Sequence, residues 1–207
     1  MHVDERVKGS EQRLWSLIEA RAVPGADVRR IDQRIWDLFG ETWAVLVTDL
    51  AGFSRQAAAF GIIHFLQIIH EKRKLLLPVA ADHDGIVLKM EADSLMVLFR
   101  KAASAVRCAV EMQRVCQRTS ERRSPEEQLL LCVGIGYGRV LRVGDTDVWG
   151  SEVNAASKLG EDVAKAGEIL VTEAVREAAG DLPEVQYVDL GLAVPGSAQN
   201  HRVRYAR

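Results

Sequence analysis

Apolar residues recur at helical spacing over residues 10–22, with Leu14, Leu17 and Ile18 on one side, which predicts a short amphipathic helix. Pro24-Gly25 breaks it. A second helix follows, with Val28, Ile31, Ile35, Trp36 and Phe39 on one stripe and Gly40 closing it. These stripes need a partner surface, so residues 1–41 read as a helical extension packed on the remainder or on a second copy. Residues 42–207 read as the main domain. It opens with an apolar strand, Trp43 to Thr48, followed by a long helical stretch from about Ser54 to Asp82. The turn His83-Asp84-Gly85 leads into Ile86–Lys89 and Ser94–Phe99, spaced as a hairpin. Residues 102–119 predict a helix with Ala105, Cys108, Ala109, Met112, Val115 and Cys116 on its buried stripe, and a charged loop follows it. Leu129–Ile135 and Arg139–Val143 read as strands around Gly136 and Gly138. Beyond them come a helix at 151–165, a strand near Ile169, a helix at 172–179 and strands near 185–190 and 201–206.

The order strand, helix, strand, strand, helix, strand predicts an α+β fold. It has a ferredoxin-like βαββαβ core, a mainly antiparallel sheet covered by helices on one face. Composition narrows the class. The 207 residues suit one domain plus a short extension, and 48% hydrophobic with 27% charged residues is an ordinary globular balance. A formal net charge of -2 argues against nucleic acid as partner, because phosphate-binding surfaces make a domain basic. Cys108, Cys116 and Cys132 form no CxxC and no Cys/His cluster and fall in helix and strand patterns, so they read as buried thiols. An odd cysteine count and a charged N-terminus without a secretory pattern predict a cytoplasmic protein. Its longest apolar runs are far shorter than the roughly 18 residues a membrane span needs.

Three segments carry candidate chemistry. In VTDLAGFS, residues 47–54, Asp49 ends an apolar strand, where a carboxylate is rigidly placed to hold a hard cation. Ala51 and Gly52 let backbone approach a ligand closely, and amides at the next helix start suit phosphate oxygens. In LKMEADSLMVLF, residues 88–99, Asp93 again sits beside a strand. Strand pairing would bring Asp49 and Asp93 side by side, where mutual repulsion calls for a cation between them. In DTDVWGSEVNAASKLGE, residues 145–161, Asn154 and Lys158 are four apart on a helix and so share a face suited to ribose and phosphate oxygens.

Together, in this order and spacing, the three segments resemble the class III adenylate and guanylate cyclase catalytic domain, over about residues 43–205. The resemblance implies that Asp49 and Asp93 hold two divalent metal ions, Mg2+ or Mn2+, with the Leu50 carbonyl as a further ligand. It also implies that Ala51, Gly52, Phe53 and Ser54 offer backbone donors to a triphosphate. Lys89 and Asp147 would read the base; a donor and an acceptor there suit adenine and so ATP. Asn154 would orient the ribose and the reacting phosphate. The implied reaction is attack of the ribose 3′-hydroxyl on the α-phosphate, with release of pyrophosphate. The implied assembly is a head-to-tail homodimer, in which one subunit supplies the metal aspartates and the other the base readers and the asparagine.

The sequence also departs from the family pattern. Lys158 stands where a transition-state arginine is expected, and an ammonium lacks the planar bidentate fork. Ala92 replaces the hairpin glycine and resists a positive φ. The C-terminal GLAVPGSAQNHRVRYAR lacks a matching lysine-bearing triphosphate loop, for which His201, Arg202 and Arg204 are the nearest substitutes. Two readings therefore stand. One is an adenylate cyclase, slow if these departures matter; the other is a cyclase-fold module that binds nucleotide or only dimerises, and regulates without catalysis.

Overall fold

The computed structural model describes residues 9–52 and 60–206. An eight-stranded sheet forms the body. Its strands are β1 (Gly40–Leu50), β2 (Ile86–Glu91), β3 (Ser94–Phe99), β4 (Leu131–Val143), β5 (Asp147–Trp149), β6 (Ile169–Thr172), β7 (Val185–Asp189) and β8 (Asn200–Tyr205). The spatial order is β2-β3-β1-β4-β6-β8-β7, with β5 on β4. The β4–β6 pair is parallel and the other pairs are antiparallel. The expected ferredoxin-like alternation is present.

The helices are α1 (Ser10–Ala22), α2 (Val28–Phe39), α3 (Ile62–Asp82), α4 (Ala102–Ser120), α5 (Ser151–Ser157) and α6 (Glu173–Ala179). The first part of the long helix expected from Ser54 lies outside the described residues. A π-turn, Lys158–Val163, carries α5 onward.

Helices cover both faces of the sheet, not one. Residues 43–47 of β1 are all apolar, so neither face of the strand can meet water. Ala44 and Leu46 join a core with Phe65 and Leu76 of α3, Met112 of α4 and Val175 of α6. On the other face Trp43, Val45 and Val47 pack with Val140, Val153 and Ala156, bringing α5 across the sheet.

Gly136 and Gly138 do not divide two strands. Residues 131–143 form one strand, and Gly134, Gly136 and Gly138 all point at α5. A Cβ at Gly134 would lie 2.1 Å from the Ala156 carbonyl oxygen, and one at Gly136 2.2 Å from that of Glu152. The glycines are there for close helix approach.

The two N-terminal helices pack on the second half of β4. Leu14, Leu17, Ile35 and Phe39 are buried against Val143, and the Arg139 guanidinium stacks over the Trp36 ring at 4.6 Å. Ile18 and Val28, expected on the inner stripes, are more exposed at 39% and 38%. Cys108, Cys116 and Cys132 are free and buried, and burial pushes their thiols up to about 12, 11 and 11, which makes them inert. Among the described residues, no helix is long and apolar enough to cross a membrane.

Candidate functional site

The register of β1 decides where its carboxylate goes. Thr48 pairs with Leu95 on one side, and Asp49 pairs with Cys132 on the other. The β2–β3 hairpin pairs Glu91 with Ser94, leaving Ala92 and Asp93 at its turn. The turn therefore lies beside the end of β1, which brings the Asp49 and Asp93 carboxyls close enough to interact. Burial, then the Asp93 carboxyl against it, pushes the Asp49 carboxyl well above the usual carboxylate range. Two acids this close, one of them reluctant to ionise, are a donor set that suits a hard dication. Magnesium takes one or two protein carboxylates and completes its shell with substrate phosphates and water. Among the described residues no group of three or more His, Cys, Asp or Glu forms a fuller cage.

Ala92 adopts φ +45°, the left-handed conformation its side chain resists. Two successive cations of α3 hold this turn. Lys72 Nζ donates to the Asp93 carbonyl oxygen, and Arg73 Nη2 donates to that of Ala92 at 3.4 Å. Lys72 is 2% exposed, and burial brings its ammonium down to about 8 against the pull of Asp93 and Asp49. Sequence reasoning passed over Lys72. The available signal was its place on the apolar stripe of Phe65, Ile69 and Leu76, where a lysine is out of keeping. Glu161 was also missed. It accepts from Ser94 Oγ at 3.2 Å, tying the π-turn to the hairpin.

Lys89 and Asp147, distant in sequence, form an ion pair of 2.9 Å, each about one-third exposed. Asp147 Oδ1 also accepts from the Val148 amide at 2.8 Å. Asp147 and Trp149 share a recess with Leu14 and Trp15, so α1 reaches the strand that carries Asp147. Asn154 and Lys158 are both exposed on the outer side of α5 and its continuation. Lys158 Nζ pairs with Asp162 at 2.8 Å.

Leu50 is buried at the last position of β1. The Ala51 amide is engaged, donating to the Leu130 carbonyl oxygen at 2.8 Å. It prolongs the β1–β4 ladder and is withdrawn from the donors expected for phosphate. Gly52 is partly exposed with φ +86°, and a Cβ there would meet nothing within 4 Å. Phe53 and Ser54 lie outside the described residues. Two of the C-terminal substitutes are already paired: buried His201 contacts Glu173, and Arg202 bonds Glu168 at 3.0 Å.

Residues 40–191 match the family described as the adenylate and guanylate cyclase catalytic domain, and the chain belongs to this family. The chain is 26% identical over 148 residues to "Putative adenylate cyclase 3" of Rhizobium meliloti (strain 1021). That match covers 72% of this chain but spans only 25% of the relative. Among solved structures, the adenylate/guanylate cyclase/hydrolase from Silicibacter pomeroyi is similar with a TM-score of 0.68 and 28% identity, covering 79% of this chain and 95% of that one. The adenylyl cyclase CyaB from P. aeruginosa gives a TM-score of 0.67 and 25% identity, covering 81% and 96%. The mixed α+β sheet is therefore that of class III cyclase domains.

Proposed function

We propose that the chain is an adenylate cyclase that converts ATP to 3′,5′-cyclic AMP and pyrophosphate at a cleft between two copies. The observation that carries this reading is the strand register that sets the Asp93 turn of the β2–β3 hairpin beside Asp49 at the end of β1. These carboxylates, with the Leu50 carbonyl, would hold two divalent ions, Mg2+ or Mn2+. When bound, such ions lower the pKa of the ribose 3′-hydroxyl and stabilise charge at the α-phosphate. The chain's own groups bind and orient. The amide of Gly52 and those of Phe53 and Ser54 would face the triphosphate. Lys89 would donate to adenine N1, and Asp147 would accept from its exocyclic amine. Their ion pair supports the assignment, since one base edge has to meet both. Asn154 would hold the ribose and the reacting phosphate in line, and Lys158 would stand near the charge that develops there. A new bond joins the 3′-oxygen to the α-phosphorus as the bond to the β-phosphate oxygen breaks, pyrophosphate leaving and the hydroxyl's proton passing to water.

The test is product formation from ATP and from GTP with Mg2+ or Mn2+. Cyclic AMP is the expected product, lowered on the order of a hundredfold or more by Asp49→Asn or Asp93→Asn. ATP binding without product under either metal favours the second reading, a regulatory nucleotide-binding dimer. That reading draws on Lys158, which lacks an arginine's fork and is paired with Asp162.

A further inference from the structure

Lys72 holds a position on α3 where the helical repeat places apolar residues. An ammonium at 2% exposure has to be compensated by hydrogen bonds or negative charge. The structure supplies both. Lys72 Nζ donates to the carbonyl oxygen of Asp93, and its charge is attracted by the Asp93 and Asp49 carboxylates. The contact is to the backbone of the hairpin turn, so it fixes where Asp93 stands while leaving the carboxylate oxygens available. Arg73 on the adjoining Ala92 carbonyl adds a second hold on the same turn.

We propose that Lys72 is a resident counter-cation of the Asp49–Asp93 pair. It keeps the two acids together when no metal is bound and, by its own charge, holds down the affinity of the site for free metal. The inference rests on the reading of Asp49 and Asp93 as cation ligands. A fixed unit charge a few ångströms from an entering dication opposes it by kilocalories even at the effective dielectric of a protein surface, which means about a tenfold change in affinity or more. A triphosphate arriving with its metal brings the negative charge that restores the balance. The free chain should therefore hold metal loosely and take it up chiefly together with nucleotide. Lys72 is a positioning residue: it acts through Asp93 and through charge, without touching substrate.

The test is Mn2+ titration of the full chain without nucleotide, followed by the EPR signal of the free ion. Lys72→Met keeps the length of the stem and removes the charge. It is expected to tighten Mn2+ binding by about tenfold or more. Lys72→Arg, which keeps the charge, is expected to stay within about threefold of the parent. A merely structural role predicts weaker binding on removal of Lys72, so the direction of the change separates the two. Should Lys72→Met not fold, Lys72→Gln is judged by the same criterion. Unchanged or weaker binding in the folded charge-deleted variant overturns the inference and leaves the carboxylate reading standing. Absence of Mn2+ binding in the parent and in every Lys72 variant overturns the carboxylate reading itself. So does tightened binding that survives Asp49→Asn added to Lys72→Met.

Discussion

Ala92 pays a conformational penalty at φ +45° that glycine does not, about 1–2 kcal/mol for an L-residue in the left-handed region. Glycine loses more freedom on folding, which takes back roughly 0.5–1 kcal/mol. Strain is the larger of the two, so Ala92→Gly is expected to raise stability by about 0.5–1 kcal/mol. Urea unfolding would register this as a higher midpoint at unchanged slope. A lower midpoint would mean that the contacts of Lys72 and Arg73 depend on the alanine. Lys158 presents the opposite case, a side chain with spatial freedom and the wrong shape. Its ion pair with Asp162 joins groups 46% and 59% exposed, and pairs so solvated are worth no more than about 1 kcal/mol. Lys158 is thus free to leave Asp162 for an anion. In the proposed site, Lys158→Arg would add a second parallel hydrogen bond to phosphate, and kcat is expected to rise roughly fivefold, about 1 kcal/mol of barrier. An equal or lower rate would assign Lys158 another role.

At the scale of elements, the placement of α5 depends on the glycine stripe of β4. A methyl group at Gly136 would stand 2.2 Å from the Glu152 carbonyl oxygen, and backbone there cannot move without shifting the helix. Gly136→Ala is expected to destabilise the fold by about 1–3 kcal/mol and to impair turnover through displaced Asn154, as seen by thermal unfolding alongside the product assay. Wild-type stability in that variant would mean that α5 sits further from the sheet. The stripe also shows where sequence reading stopped. Alternating glycines within a strand look like interruptions when only propensity is considered, and their purpose becomes visible only once a helix lies on them. The hairpin of β2 and β3, by contrast, was legible from two short apolar runs about a turn, and with it the approach of Asp93 to Asp49. The second helical layer was legible in principle from the uninterrupted apolar run of β1, which no one-sided sheet would need. Lys89 and Asp147 were named as base readers and Lys72 was visible as a charge on an apolar stripe, but their contacts were not legible, because each joins elements far apart in the chain.

At the scale of the whole molecule, the proposed homodimer divides its chemistry between copies, with metal ligands from one and Asn154 from the other. Asp49→Asn and Asn154→Ala proteins are each expected to be nearly inactive alone. Mixed and re-equilibrated in equal amounts, they form mixed dimers in which one of two clefts is intact. About one quarter of parental activity should return. Mixing without recovery would place both residues in the same subunit's site.

The long pairing of β1 sets the mechanical character of any such site. Its residues 40–50 are laddered to β4 along their whole length, and 44–48 are laddered to β3 as well. Strands clamped on both edges and buried on both faces open only with the molecule as a whole. Asp49, one residue past the doubly paired stretch and still laddered to Cys132, would therefore be a fixed point of the proposed cleft. In the proposed dimer, adjustment around a substrate would fall to the β4–β5 corner and the neighbouring copy, because the hairpin turn is itself tied to α3 by Lys72 and Arg73.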